Sequence, residues 1–415
     1  MSENKVLNSK LKKFYVILFS LIILLIPMAF LFGIISDRES YKSEAIKNIE
    51  QSWAKAQVLG APSMTLTIGK DKKKSTQVLD LGNYDVNVKI NTEIRKKGIF
   101  KVPVYTADVN IKGWFKNTCG ALKNVESKLS LDVTDAKGFV EAPKFKIQNE
   151  NLQTVDDNVY MKNLTTNSDI IPFEMNYKLR GVNSLSIVPS GTISKIKISG
   201  NWKDPSFEGD FLPAKRSVTN KAFSAEWSIP KIATLKSDKS NLNDGSFYVS
   251  SDNNEVEVTV SLLTPVDNYR MATRSVKYAF LFLLLTFVAY YVFEITSEKN
   301  NPIHPIQYML MGGALLIFYL LLTSISEFVP FLLAYIVAML FTVALISSYT
   351  YFVLTKKENP KFTYLITAVM ILLYTFLYTL LVIQDLSLLI GSFILFFVIA
   401  SIMYATRNVE WYDGN

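Results

Sequence analysis

The sequence predicts a membrane α-helical bundle of six transmembrane helices plus a large all-β domain, antiparallel and sandwich-like, inserted between the first and second spans. Two observations predict this class. One apolar run lies near the N-terminus and five more lie in the last third of the 415 residues. A run of about 20 apolar residues can cross a bilayer as a helix. Between these runs, residues 36–275 are mostly polar and alternate in the manner of strands.

The N-terminal apolar run, residues 14–35, is predicted to be an uncleaved anchor. It is longer than the apolar core of a signal peptide, which has about 7–15 residues, and no small-residue cleavage pattern follows it. The five later runs have the length and composition of membrane spans. They are predicted at Val276–Ile295, Ile306–Thr323, Val329–Leu354, Phe362–Ile383 and Leu386–Met403.

Basic residues in short flanking loops predict the orientation of the spans. Six spans place the N-terminal lysines, Lys299, the lysines at 356, 357 and 361, and Arg407 on one side. The turns at 324–328 and 384–385, on the other side, contain no Lys or Arg. Residues 1–13 and 404–415 are therefore predicted to be cytoplasmic. Residues 36–275 are predicted to be periplasmic, and residues 276–403 to form a five-helix bundle.

A polar cluster is predicted at the outer face of the membrane. Three basic residues precede the second span, and we expect the carboxylates of the outer turns, Glu327 and Asp385, to pair with them. Three tyrosines fall in the outer half of the spans, where a phenol needs a hydrogen-bond partner. The cluster is either helix packing or an outward-facing pocket of a transporter or lipid-handling protein. Its members are Arg270, Arg274, Lys277, Tyr319, Glu327, Tyr335, Tyr378 and Asp385.

The polar insert is predicted to begin with a helix and to continue as strands. Over Ser40–Val58, apolar residues recur every three or four positions, and Gly60 and Pro62 end the helix. Period-two alternation follows. Turn residues separate the strands at Gly82-Asn83 and at Lys97-Gly98, and the lysine-rich segment 70–74 is expected to be a solvated hairpin turn.

Composition excludes several kinds of site. One cysteine, Cys119, rules out an intrachain disulfide, and one histidine, His304, leaves no zinc or haem constellation. No Gly-rich phosphate loop, nucleophile elbow or His-containing triad occurs. We therefore expect no enzyme activity, no cofactor and no nucleic-acid partner, with a carboxylate-pair hydrolase as the enzyme alternative. His304 before Pro305 is expected to mark a helix start.

Ordered sequence blocks resemble a known family over almost the whole chain. The most specific is residues 202–213, which read WKDPSFEGDFLP. Others lie at 98–105, 265–267, 304–308 and 318–321. On these blocks the chain resembles the CreD family of bacterial inner-membrane proteins, which belongs to the Cre two-component regulon. The resemblance implies a Gram-negative inner membrane and a part in envelope integrity, stress response and susceptibility to β-lactams and colicins. It implies no mechanism.

The chain departs from the family pattern at the outer turns. Phe328 stands where the family tends to have a histidine, and the segment 382–386 keeps only Asp385 of two family carboxylates. Acid–base chemistry at these turns is therefore disfavoured.

The predicted function is non-enzymatic maintenance of the cell envelope. The bundle would sit in the lipid bilayer, and the β domain would act as an interaction module for an envelope protein or a cell-wall component. The candidate contact surface lies in the 202–213 block, whose aromatic residues could equally be core packing around a turn. It comprises Trp202, Asp204, Pro205, Phe207, Glu208 and Phe211.

Overall fold

The structure is a computed structural model that describes residues 3–69, 75–156, 159–234, 256–262, 268–296, 303–354, 361–383 and 387–407. The chain divides into two compact units. One combines Met1–Lys42 with Val266–Asn415, and the other is Ser43–Pro265.

A single helix, α1 (Glu3–Ser52), replaces the predicted anchor and the separate helix that was expected to follow it. It stays helical after Ile35 because residues 36–52 contain no Pro or Gly and are rich in helix-forming charged residues. The expectation that helix continues to Val58 was wrong. The chain leaves the helix at Ser52, whose hydroxyl donates to the Asn48 and Ile49 carbonyls, and Gln57–Leu59 is already a strand.

The second unit contains sixteen strands and a short helix within the described ranges. They are β1 Gln57–Leu59, β2 Ser63–Ile68, β3 Ser75–Lys97, β4 Phe100–Lys116, β5 Leu122–Ser130, β6 Lys144–Ile147, β7 Glu150–Asn151, β8 Gln153–Asp156, β9 Val159–Thr166, β10 Ile170–Val182, β11 Ser184–Ile187, β12 Ile193–Gly200, β13 Ser206–Gly209, β14 Lys215–Val218, β15 Phe223–Pro230, α2 Lys231–Thr234 and β16 Val258–Ser261.

These strands form two sheets. Twelve strands form a branched sheet whose main path runs β7-β6-β10-β4-β3-β2-β5-β9-β8, and the other four form a sheet in the order β1-β11-β16-β13. The branch occurs at β3, whose first residues pair with β2 and whose later residues pair with β12. From β12 the branch continues through β15 to β14.

The prediction of a large antiparallel domain is confirmed for most strand pairs, with two exceptions. β1 pairs with β11 in parallel, and β12 pairs with β3 in parallel. Both exceptions join strands that are more than 100 residues apart in sequence (Gln57 with Leu185, Ser194 with Tyr84). A tight hairpin can join only antiparallel neighbours, so the turn signals in the sequence could not predict these pairs.

Gly82-Asn83 is a bulge, not the predicted turn. β3 and β4 run antiparallel on both sides of it, with a register shift between Leu81 and Tyr84. A Cβ on Gly82 would lie 2.5 Å from the Trp114 ring, so only glycine lets that ring close over the strand. Gly191 (φ +74°) approaches the same bulge, and a Cβ there would lie 2.1 Å from the Gly82 carbonyl oxygen.

One hydrophobic core joins the two sheets, with apolar side chains from both in the same cluster. Two buried tyrosines of the large sheet also bond to the segment containing β11. The Tyr105 hydroxyl donates to the Ser184 carbonyl at 2.8 Å, and the Tyr84 hydroxyl donates to the Val188 carbonyl at 2.6 Å. Burial raises the pKa of both phenols, so they remain protonated donors at neutral pH.

The last turns of α1 pack on the β domain. Ile46 and Ile49 form a small apolar cluster with Val102, Val104 and Val182. This agrees with the predicted apolar face.

Trp53, which follows α1, has two guanidinium groups against its ring. The guanidinium carbons of Arg95 and Arg180 lie 4.4 and 4.6 Å from the ring centroid. The indole N–H donates to the Tyr105 carbonyl at 3.4 Å. The two arginines and the hydrogen bond fix the end of the helix against the sheet.

The remaining helices follow the predicted spans to within a few residues at most ends. They are α3 Asn268–Lys277, α4 Ala279–Thr296, α5 Pro305–Ser326, α6 Phe331–Leu354, α7 Lys361–Val382 and α8 Ser387–Thr406. α5 begins as expected: His304 is its N-cap, with Pro305 in the first turn and a reciprocal hydrogen bond from the His304 N–H to the Gln307 side chain.

Four helices in the described part of the chain are long and apolar enough to cross a membrane. They are α1, α5, α6 and α7. The pair α3 and α4, bent by 42° at Tyr278, makes a fifth if it is counted as one span. A membrane protein with several spans is thus confirmed, whereas the full six spans and the periplasmic placement of the β domain stay predictions.

α1 belongs to the bundle. One of its faces contributes Ile17, Leu21, Leu24, Met28, Leu31 and Ile35 to the bundle core. The approach is close at Gly312 on α5, where a Cβ would lie 2.3 Å from Leu24 Cδ1. Small residues at helix crossings allow this contact in a bilayer.

Candidate functional site

An aromatic cluster lies inside the helical bundle, where α5, α6 and α7 meet. We define it as Phe318, Tyr319, Tyr335, Tyr374 and Tyr378. The Phe318 ring lies 5.0 Å from Tyr319, 5.3 Å from Tyr335 and 4.7 Å from Tyr374, measured between centroids. Tyr378 stacks on Tyr335 at 5.1 Å. The three predicted tyrosines are therefore brought together, and Phe318 and Tyr374 complete the group.

Hydrogen bonding within the aromatic cluster is incomplete. The Tyr335 hydroxyl donates to the Tyr374 carbonyl at 2.6 Å. The hydroxyls of Tyr319 and Tyr374 are buried and have no hydrogen-bond partner among the described residues. A buried polar group without a partner destabilises a fold and in native proteins calls for an explanation, such as a ligand. These two phenols are the most unusual polar atoms of the bundle.

The guanidinium group of Arg274, on α3, also has a buried nitrogen without a hydrogen-bond partner within the described ranges. Its Nη2 donates to the Leu380 carbonyl of α7 at 3.4 Å, and its Nη1 is buried without a partner in the described part of the chain. The other two basic residues of the predicted cluster, Arg270 and Lys277, are exposed. Of these three basic residues, only Arg274 has a buried donor without a partner among the described residues.

The predicted carboxylates fall in different places. Glu327, at the end of α5, lies 3.5 Å from Nε of Arg38 on α1 and is only 8% exposed. The sequence did not suggest this partner, because Arg38 lies about 290 residues earlier and outside the predicted spans. Asp385 lies outside the described residues, so its expected pairing with the basic group stays a prediction.

A hydrogen-bonded group around one carboxylate, Glu294, lies between α4, α5 and α6, and the sequence analysis missed it. We call it the carboxylate cluster. Glu294 on α4 accepts hydrogen bonds from the Tyr308 hydroxyl at 2.9 Å and from the Ile303 N–H at 3.1 Å. Nearby, the hydroxyls of Tyr290 and Thr350 are 2.8 Å apart, and the Tyr290 and Tyr308 rings touch. The sequence signal was a glutamate inside an apolar run, which predicts a partner without identifying it.

The aromatic residues of the predicted contact surface are largely core residues. Trp202 is 9% exposed, and its indole N–H donates to the Asp204 carbonyl at 3.2 Å. Phe207 packs edge-to-face on Phe223 and Trp227.

Phe211 is also half-buried, and its carbonyl accepts from the Trp227 indole at 3.0 Å. Asp204 and Pro205 are half-buried, and Glu208 is exposed. The block is thus a packed turn that presents one predicted side chain, Glu208, fully to solvent.

Two edge strands lie in or directly after this block. β13 ends the four-stranded sheet and carries Glu208, and β14 ends the branch of the larger sheet. All four residues of β14 are exposed. Beside β14 lies a surface groove of about 360 Å³ lined by charged residues of β3, β12, β14 and β15. At its wall Lys197 pairs with Glu226 at 2.8 Å and lowers the pKa of that carboxyl.

A second groove, of about 630 Å³, runs along α7. Its lining is almost wholly apolar, with Ala368, Ile371, Leu372, Thr375, Phe376 and Thr379 on one helix face. Thr379 precedes Leu380, whose carbonyl holds Arg274. Within the described residues, no group of three or more His, Cys, Asp or Glu could hold a metal ion.

A β domain of this size combined with several apolar helices defines a multi-pass integral membrane protein. The sequence profile described as "Inner membrane protein CreD" matches residues 9–412. The chain is 30% identical to the inner membrane protein CreD of Escherichia coli (strain K12), over 95% of this chain and 92% of that protein. The chain therefore belongs to the CreD family of inner membrane proteins.

The similarity to one solved structure is low. A structure of a putative nutrient binding protein from Legionella pneumophila is similar over 56% of this chain and 79% of that chain. Its TM-score is 0.32 and its sequence identity is 6%.

Replacing Tyr308 with Phe tests the carboxylate cluster. It removes a hydrogen-bond donor to Glu294 and should lower the free energy of unfolding by about 1.5–3 kcal/mol, the value of a hydrogen bond to a charged group. Tyr319→Phe is the matched control. It removes a hydroxyl that has no partner in the described structure, so it should be neutral or slightly stabilising. Denaturation of both full-length variants in detergent measures the difference, and equal losses would contradict the assignment.

Proposed function

We propose that this CreD-family protein maintains the cell envelope without catalysis, with its β domain acting as an interaction module in the periplasm. Its N- and C-termini would lie in the cytoplasm, as the lysine distribution of the loops predicts. A part in the stress response and in susceptibility to β-lactams belongs to the same proposal. The observation that carries it is the pair of edge strands, β13, which lies within the family's most specific block, and β14, which follows that block.

Edge strands suit a protein-binding role. An edge presents unpaired N–H and C=O groups that an extended partner segment can complete. Among the described strands, β14 pairs only with β15, and β13 pairs only with β16. Phe207 of β13 packs on Phe223 and Trp227 of β15, the strand that pairs with β14, so both edges adjoin one core.

Charge would decide what binds there. β14 contributes Lys215 and Arg216, and the neighbouring groove contributes Lys195 and Lys197 against Asp85 and Glu226. A partner segment with acidic side chains would complement this surface. Glu208 on the other edge adds an opposite charge, which would fix the orientation of the partner.

Crosslinking in intact cells tests the module. A photo-crosslinking amino acid at Glu208 or Val218, both exposed on the edges, should yield a discrete adduct with an envelope component. The same group at Lys146, an exposed residue of β6, should yield none. In a strain that depends on this protein, Glu208→Lys and Arg216→Glu should restore envelope integrity and β-lactam susceptibility poorly, at normal protein levels, whereas Lys146→Glu should restore both fully.

Two results would contradict the proposal that the β domain is an interaction module. One is the same adducts at all three positions. The other is full function of both edge variants, which would leave the 202–213 block as core packing.

Lipid handling is the second candidate function, and one observation favours it. The apolar groove along α7 could take an acyl chain, and its last lining residue, Thr379, directly precedes Leu380, whose carbonyl accepts from Arg274. The unpaired Nη1 of Arg274 and the unpaired phenols of Tyr319 and Tyr374 would supply donors to a polar headgroup.

Replacing Arg274 with Met tests this second function. It should lower the occupancy of bound phospholipid by about 10- to 100-fold, the value of one hydrogen bond to a charged group. Arg270→Met, at an exposed position of the same helix, should leave the occupancy unchanged. Native mass spectrometry of the full chain measures retained lipid, and equal occupancy in the two variants would exclude the site.

A further inference from the structure

The indole ring of Trp114 lies flat on the backbone of the large sheet. A Cβ on Gly82 would lie 2.5 Å from Cδ2, Cε2 and Cε3, three consecutive atoms of the six-membered ring of Trp114. Because the three distances are equal, that Cβ would lie on the axis of the ring. One face of the ring therefore covers Gly82, at the bulge between Leu81 and Tyr84.

Backbone contacts hold the bulge under this ring. The Gly82 carbonyl oxygen accepts from the Thr192 N–H at 3.0 Å, next to the close approach of Gly191. On β4, the backbone at Gly113 also comes close, since a Cβ there would lie 2.9 Å from the Asn83 carbonyl oxygen. The position of the ring is thus set by the fold and is ready for a ligand.

The face of Trp114 that is turned away from Gly82 is available to a ligand. Trp114 is half-buried and, among the described residues, is not part of the hydrophobic core. In the same part of the chain, no aromatic ring or guanidinium group stacks on it, and no hydrogen bond uses its indole N–H. Pro172, its partner in register on β10, and Ile170 are exposed. The three residues form an apolar patch on this face of the sheet.

Polar side chains continue from Trp114 along the same face of β4 and β10. Side chains two residues apart in a strand lie on one face of the sheet. After Trp114, the next three such positions of β4 pair in register with the next three of β10 after Pro172. All six are polar or charged. We call them the polar strip, which comprises Asp108, Asn110, Lys112, Glu174, Asn176 and Lys178.

The polar strip has no net charge. Its two lysines each pair with an acidic residue across the two strands: Lys112 lies 3.2 Å from Glu174, and Lys178 lies 3.3 Å from Asp108. A strongly charged partner finds no complementary field on such a surface. Charge therefore favours a neutral ligand with many hydrogen-bonding groups.

Two asparagines at the centre of the polar strip supply donors and acceptors. The Asn110 amide nitrogen donates to the Asn176 oxygen at 2.5 Å and to Glu174 at 3.2 Å. A side-chain amide has two donor hydrogens and an oxygen with two lone pairs. Within the described ranges, the Asn110 oxygen and the Asn176 nitrogen have no protein partner. Hydroxyl groups, which both donate and accept, complement this pair.

We propose that Trp114 and the polar strip form a binding site for a neutral saccharide chain of glucopyranose-type rings. The axial hydrogens of such a ring form an apolar face that would stack on the indole, whose face is electron-rich. Hydroxyl groups of the following rings would bond to the polar strip. From Trp114 to Asp108 the strand extends about 20 Å at 3.4 Å per residue, long enough for a short oligosaccharide. The site uses other strands than β13 and β14 and stands independently of the partner proposed for them.

The test measures saccharide binding to the full-length chain in phosphatidylcholine nanodiscs, which contain no glycoside detergent. The probes are cellotetraose and tetra-N-acetylchitotetraose, and calorimetry should show that at least one of them binds. Trp114→Ala should weaken that binding by about 10-fold or more, the scale of truncating a stacking aromatic residue. Trp114→Phe keeps a ring and should bind within a few-fold of the wild type. The change in tryptophan emission on binding should nevertheless be lost in Trp114→Phe.

A second variant leaves the Trp114 ring in place. Asn110→Ala should weaken binding by about 3- to 10-fold, the value of one hydrogen bond. Asn163→Ala, at an exposed asparagine of β9, is the matched control and should bind as the wild type does.

Three results would overturn the proposal. The first is that neither tetrasaccharide binds. The second is that Trp114→Ala and Asn110→Ala bind as tightly as the wild type. The third is that polyglutamate binds in a manner that depends on Trp114, which would make an acidic protein segment the occupant of this face.

Discussion

The contacts of Trp53 with Arg95, Arg180 and Tyr105 attach the end of α1 to the β domain, and the arrangement of that domain around the helix depends on them. Arg95 comes from β3 and Arg180 from the end of β10, and both guanidinium groups lie over the ring of one indole. A cation–π contact contributes about 0.5–1 kcal/mol at exposed sites and more when it is desolvated. The two arginines join the exit of α1 to two strands at once. These contacts therefore hold the chain just after α1 against both strands.

The bundle satisfies a different constraint. Water is absent from the bilayer core, so polar side chains there need partners from neighbouring helices. The carboxylate cluster meets this requirement, since Glu294 accepts from both Tyr308 and the backbone at Ile303. The aromatic cluster meets it only in part, because the Tyr335 hydroxyl bonds to a carbonyl while those of Tyr319 and Tyr374 have no partner among the described residues. That contrast between two groups of tyrosines within one bundle is the strongest reason to consider a ligand near Arg274.

The sequence predicted features that are set locally. Hydropathy located the helices of the bundle, and His304 with Pro305 located the start of α5, because span length and capping depend on adjacent residues. Alternation predicted the β domain for the same reason. The parallel pairing of β3 with β12 was missed because it joins distant segments without a local signal.

The sequence could not predict the partners of the charged residues, because each pair joins two different helices. Arg38 and Glu327 meet only when α1 packs beside α5, and Glu294 on α4 meets Tyr308 on α5. The sequence identified Trp202 and Phe207 as distinctive residues. It could not decide between surface and core, because aromatic residues are common in both places.

The account as a whole rests on a two-sided arrangement, with the β domain outside the cytoplasm and the loop after α6 inside it. Labelling of single cysteines with a thiol reagent that cannot cross the membrane tests this directly, in a Cys119→Ser background. A cysteine at Val218, on β14, should react in intact cells, and a cysteine at Lys356 should react only after the cells are permeabilised. Reaction at 356 but not at 218 in intact cells would contradict the arrangement and, with it, the proposed role in the envelope.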